Sequence, residues 1–248
     1  MCDPVNPDMV NRLADRGYAA LNSPRQPIQF TTDEAANNIL NDVAQYPHLF
    51  VLGCVADRQV PTDRAWGIPY DIGQRARSHC FRDLANVSLE DLGVWIRHPV
   101  RDMAGCLHGA LLRIRDVYAG DASQIWSREP VGAAVVWRFM EFAGVRQKIG
   151  NMAANILLRD FNVQLRDKHT IDMPVDRNVM RVFRRIGFVC SDTHKEEVCI
   201  YRAKELCPEY PAVFDYGVWQ ISQNWCHKRG PQCNVCDLSQ TCPRHGVE

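Results

Sequence analysis

The stretch "NWCHKRGPQCNVCDLSQTC", residues 224–242, places four cysteines, Cys226, Cys233, Cys236 and Cys242, in the pattern C-x6-C-x2-C-x5-C. Four thiolates converging from so short a loop suit either a tetrahedral zinc ion or a cubane [4Fe–4S] cluster, because both accept a four-cysteine ligand set. Structural zinc sites usually pair two close knuckles; this loop has one close pair, Cys233 and Cys236, flanked by two outlying cysteines. The spacing favours the cluster and leaves zinc as the alternative. Basic residues, Lys228 and Arg229, fill the gap between the first two cysteines.

The rest of the chain bounds the setting of that loop. With 248 residues, 46% of them apolar, it can bury a sizeable core. No apolar run approaches the roughly 20 residues needed to cross a bilayer, and the N-terminal stretch has neither a basic nor an apolar leader region. A cytoplasmic protein without membrane contact is expected. In a reducing compartment eleven cysteines are not expected to form a disulfide framework. Outside the loop, Cys2, Cys54, Cys80, Cys106, Cys190, Cys199 and Cys207 read as small buried hydrophobes. Net charge is zero, but its distribution is uneven. Residues 31–91 carry five Arg against nine Asp and Glu, whereas residues 144–186 carry nine Lys and Arg against four Asp. One basic face, or simply a solvated charged surface, follows from that swing.

Apolar periodicity is helical almost throughout, so the fold class is all-α. Thr31 with Glu34 reads as a capping box before Ala35, Ile39, Leu40 and Val43. "HLFVLGCVADRQ" follows as a second helix, and Pro61 is placed to open a third. Ser88 caps "LEDLGVWIRH", which Pro99 ends; "RDMAGCLHGALLRIRDVY" runs to Gly120; "PVGAAVVWRFMEFA" comes next.

After that helix stands "FAGVRQKIGNMAANILL", residues 142–158, and further on "MPVDRNVMRVFRRIGF", residues 173–188. Gly144, Val145 and Lys148 match the Gly-hydrophobic-Gly-x-Lys turn of a helix-hairpin-helix, with Arg146 where a second glycine is usual. A glycine turn ahead of a helix leaves backbone N–H groups free to face a phosphate. The second string resembles a V-D-x-x-V-x-R-V element, in which Asp176 also reads as the N-cap of its helix. With the cysteine loop, these motifs make the chain resemble, over about residues 35–242, the endonuclease III family of helix-hairpin-helix DNA glycosylases. Asn178 replaces the usual His two residues after the Asp, and the interval from Lys148 to Asp176 is about ten residues longer than is typical of that family.

The resemblance implies a six-helix barrel domain over residues 32–165, with the hairpin at about 130–160. Residues 1–31 and 166–248 would then form an iron–sulfur helical domain. It implies a [4Fe–4S] cluster on Cys226, Cys233, Cys236 and Cys242, whose loop offers Lys228 and Arg229 to DNA phosphates. It also implies a base-excision glycosylase with AP lyase activity, acting as a monomer on double-stranded DNA that carries a damaged, mismatched or modified base. The nucleotide would be flipped out into a cleft between the domains. Lys148 would attack C1′ and Asp176 would assist. An amine is nucleophilic only when neutral, so a desolvating or positively charged surrounding is expected for Lys148. Gly144, Arg146 and Asn178 would contact DNA. Gln59 would fill the gap left by the extruded base, and a wedge would come from near "RHPV", residues 97–100. Two other readings are a monofunctional glycosylase in which Asp176 activates water, and a non-catalytic DNA-binding protein with a zinc loop.

Overall fold

The computed structural model describes residues 5–247, and among these every regular element is a helix. The chain divides into two compact units, one of residues 25–165, the other of residues up to Pro24 together with those from Arg166 onward.

The central unit is organised by its most apolar segment. Helices α1 (Pro7–Asn22) and α2 (Glu34–Asn41) precede α3 (Pro47–Ala56), every residue of which is buried. A helix that is apolar all round belongs inside a core. Here α4 (Thr62–Ala76), α7 (Met103–Val117) and α9 (Gln147–Arg159) surround α3. The short helices α5 (Phe81–Leu84) and α6 (Leu89–Trp95) lie between α4 and α7, and α8 (Gly132–Met140) precedes α9. Phe50 of α3 is the hub, with the rings of Trp66, Trp126, Phe139 and Phe161 at 5.5–6.1 Å. Gly53 is required where α3 meets Trp66, because a Cβ there would sit 2.4 Å from the indole. His48, also on α3, has its pKa lowered by burial to about 4. As a neutral ring its Nε2–H donates to the His79 carbonyl at 2.9 Å.

The extended segment leading into α2 is pinned by two buried amides. Asn37 accepts from Thr31 N and donates to the Thr31 carbonyl, while Asn41 does the same for Ile28. Asp33, not Thr31, caps α2, its carboxylate accepting from Ala36 N at 3.1 Å. Thr31 turns its hydroxyl to Asp33 instead. Two capping residues compete within one turn, and the one adjacent to the helix has the shorter reach. Ser88 does cap α6 as expected, accepting from Asp91 N at 3.0 Å, although α6 ends at Trp95, ahead of Pro99. The helix expected to reach Gln59 stops at Ala56, and Pro61 is the N-cap of α4 and not its first residue.

The second unit joins the two ends of the chain. Helix α1 packs on α12 (Phe214–Asn224), with α10 (Arg177–Arg185) and α11 (Glu196–Leu206) alongside. Phe183, Phe188 and Phe214 form its aromatic core, with centroids 5.2 and 5.8 Å apart. The cysteines outside the loop depart in part from expectation. Cys54, Cys106, Cys199 and Cys207 are buried, but Cys80 is exposed. Cys190 is disulfide-bonded, against the expectation of a free apolar thiol, and Cys2 lies outside the described residues. Among the described residues no helix is long and apolar enough to cross a membrane.

At Gly17 α1 approaches the Val213 backbone closely, since an added Cβ would lie 1.9 Å from the Val213 carbonyl oxygen. Gly17→Ala should therefore destabilise the protein by about 1–3 kcal/mol through overpacking. Gly109→Ala in α7, where a Cβ meets nothing within 4 Å, should instead stabilise it by about 0.5–1 kcal/mol. Thermal melts of the two variants should move in opposite directions.

Candidate active site and cysteine loop

The hairpin is built by a glycine turn. Gly144 sits between α8 and α9 with φ +80°, a left-handed conformation that a side chain disfavours. It has a second reason to be glycine: a Cβ would fall 1.8 Å from a guanidinium nitrogen of Arg58. That guanidinium is fixed by Nε donating to the Val55 carbonyl at 2.9 Å, so the end of α3 presses on the turn. Arg146 follows as the N-cap of α9 with φ −114°, an extended backbone that any residue adopts. Arginine is thus unstrained at the place of the family's second glycine. Its side chain is exposed and makes no capping bond.

Lys148 stands in this first turn and points back to α3. Its Nζ donates to Asp57 Oδ2 at 3.2 Å and to Met152 Sδ at 3.4 Å. The lysine side chain is 29% exposed and the aspartate 12%. Asp57 is the C-cap of α3, its own N–H bonded to the Gly53 and Cys54 carbonyls. The surroundings therefore differ from the desolvated or cationic pocket expected of a neutral amine, because a carboxylate at this distance stabilises the ammonium. Cys54 lies one turn earlier on α3. Burial, and then the charge of Asp57, push its thiol well up, so it stays protonated.

Around the end of α3 stand other residues that the sequence motifs do not single out. His98 donates from Nε2 to the Ala56 carbonyl at 3.2 Å and accepts at Nδ1 from Val100 N at 3.1 Å, tying the loop before α7 to α3. Burial lowers its pKa, and the charges of Arg58 and Arg64 do so further. Gln59, two residues beyond Asp57, is exposed with φ +60°. It stands on a turn and not on the helix end where it was expected.

In the other unit Asp176 is the N-cap of α10. Its Oδ1 accepts from Asn178 N at 2.7 Å and Val179 N at 2.8 Å. Asn178 in turn takes a hydrogen bond from Arg181 at 2.7 Å. The same helix holds the cysteine loop. Arg181 Nε donates to the Cys226 carbonyl at 2.8 Å; Arg185 donates to the His227 carbonyl at 2.6 Å and to Cys226 Sγ at 3.4 Å. The Arg185 carbonyl accepts from Cys242 Sγ and from His245 N. On the far side, α1 reaches the loop through Arg16, paired with Asp237 at 2.8 Å. Lys228 and Arg229 are both exposed.

Cys226, Cys233, Cys236 and Cys242 line one cavity, whose other walls include Ile186, Ile221 and Leu238. Burial pushes the Cys236 and Cys242 thiols up, and the neighbouring loop cysteines add to it. Four thiolates in such an apolar pocket would repel one another unless a cationic centre lay among them, so the residues present fit a metal group. Among the described residues no three His, Cys, Asp or Glu side chains are grouped to hold a metal ion.

No protein-family model matches the chain, and no curated protein matches it. Solved structures do match. Endonuclease III in a trapped covalent intermediate with DNA aligns over 97% of both chains with a TM-score of 0.66 and 18% identity. A non-covalent endonuclease III–DNA complex gives 0.65 over the same coverage, also at 18% identity. A thermostable thymine-DNA glycosylase aligns over 96% of both chains at 0.62 and 16% identity. The chain has the endonuclease III-like fold of the helix-hairpin-helix DNA glycosylases.

Proposed function

We propose that the protein is a base-excision DNA glycosylase with AP lyase activity, which removes a damaged, mismatched or modified base from double-stranded DNA with Lys148 as nucleophile and Asp176 as assisting carboxylate. The observation that carries this reading is the place of Lys148. It lies in the first turn of α9, directly after a glycine turn, and a helix N-terminus of this kind suits a phosphate, on a fold whose solved members include a covalent enzyme–DNA complex. Its Nζ would form the bond to C1′ as the glycosidic bond breaks, and elimination from the resulting Schiff base would nick the strand. Gly144 and Arg146 would take the backbone at the hairpin, Gln59 and Asn178 would contact the DNA around the extruded nucleotide, and Lys228 and Arg229 would take phosphates beside the cysteine loop.

Cys226, Cys233, Cys236 and Cys242 would hold a [4Fe–4S] cluster. When bound it supplies order to a loop too short to pack for itself. Arg185, donating to Cys226 Sγ, would help to balance the charge of the thiolate set. One observation favours a second reading, the monofunctional one: Asp57 stabilises Lys148 as the unreactive ammonium, which would leave base release to Asp176 and water.

Borohydride added during turnover should trap protein on DNA, and Lys148→Ala should reduce trapping at least roughly 100-fold with most duplex binding kept, because nucleophile and phosphate contacts are separate groups. Asp176→Asn should slow base release by on the order of 10²–10⁴-fold. Asn caps helices as well as Asp does, so the loss should come without unfolding of α10. Base release by the wild type with neither trapping nor a nick would favour the monofunctional reading.

Lys228→Ala and Arg229→Ala should each reduce the salt dependence of duplex binding by about one unit of slope, equally for all sequences. Metal analysis should find about four iron per chain; one zinc and no iron would replace the cluster with a zinc loop. Arg185→Ala should speed iron loss to a chelator and cost about 1.5–3 kcal/mol of stability, the usual worth of a charged hydrogen bond.

A further inference from the structure

We infer that Asp57 is the proton acceptor that turns Lys148 from an ammonium into a nucleophilic amine, an assignment that rests on the reading of Lys148 as the nucleophile. The geometry is already that of a proton transfer, Nζ and Oδ2 being 3.2 Å apart with the proton donor on Lys148. Asp57 is held in place from behind. It caps α3, the most deeply buried helix of its unit, and only 12% of its side chain is exposed. Asp176 has a different employment, since its Oδ1 is taken by two backbone N–H groups of α10.

In open water the transfer is unfavourable: free lysine and free aspartic acid differ by about 6.5 pKa units in favour of the ion pair. Exclusion of water narrows that difference, because desolvation penalises both charged forms and neither neutral one. A nucleotide docked over Lys148 would exclude that water. The ion pair thus keeps the amine protonated, and harmless to stray aldehydes, until DNA covers it. The proton leaves Nζ for Oδ2. The freed lone pair on Nζ forms the bond to C1′; when C1′ is an aldehyde, the carbonyl π pair moves to its oxygen, which is protonated and leaves as water to give the imine.

A duplex with a single aldehydic abasic site tests this step without reference to the excised base. Trapping by borohydride would be followed under single-turnover conditions between pH 6 and pH 10, alongside melting curves and duplex affinity. The wild type should show a nearly flat profile near neutrality. Asp57→Asn should trap at least roughly 100-fold more slowly at pH 7 and regain rate tenfold per pH unit, since the neutral amine must then come from solvent equilibrium. Duplex affinity should be unchanged. Asp57→Glu, which keeps a carboxylate, should keep the flat profile at reduced rate, and carries the test should the Asn variant not fold.

The competing view is that Asp57 only stabilises the ammonium. Removing its charge would then raise the fraction of free amine, so Asp57→Asn would trap as fast as the wild type or faster at pH 7. That result, or a Glu variant whose rate rises tenfold per pH unit, overturns the assignment while leaving Lys148 as nucleophile. A wild type that gives no Lys148-dependent product overturns both.

Discussion

Everything in the central unit depends on the burial of α3. Its ten residues are sequestered on all sides, so neither its axis nor its rotation can adjust without opening the core around Phe50. A helix held that firmly ends at a fixed point, and three consecutive residues there have separate tasks. Asp57 meets Lys148, Arg58 presses on Gly144, and Gln59 turns out to solvent. The turn of the hairpin and the lysine that follows it are therefore set by a core element about ninety residues earlier in the chain. Preorganisation of this kind comes from packing, and costs nothing further when a ligand arrives.

The other unit uses polar contacts to a similar end. Its cysteine loop buries Leu238 and is held besides by arginines of α10 that donate to Cys226 and His227. The N-terminal end of that same helix carries Asp176. One rigid rod of nine residues thus bears a carboxylate at its start and the anchor of a thiol pocket at its end, and its orientation is shared between them.

Much of this was legible in the residues because it is local. The helical class follows from apolar periodicity, the Ser88 and Asp176 caps from position, and the turn at Gly144 from the glycine itself. The cysteine loop could be recognised because its information lies entirely in spacing. What sequence could not supply were contacts over long separations. Asp57 and Lys148 are 91 positions apart, and no periodicity or spacing rule links them. Arg185 likewise looks like one arginine among several on α10 until its proximity to Cys226 is known. At Thr31 a capping box was expected, but Asp33, adjacent to the helix, caps it instead. Cys80 and Cys190 were misread because a cysteine's place in the sequence fixes neither its burial nor its pairing.

Because one unit is assembled from both ends of the chain, its formation is bound to the timetable of synthesis. Helix α1 buries Met9, Leu13 and Gly17, and its main neighbour, α12, begins at Phe214. At about 5–20 residues per second, the roughly 190 residues between them take about 10–40 s to emerge. Residues 25–165 form a unit of their own and have all their partners long before that. For the interval, α1 waits as an amphipathic segment with its apolar stripe uncovered, exposed to whatever binds such stripes on a nascent chain. The close fit at Gly17 thus forms only once Val213, far later in the chain, has been made.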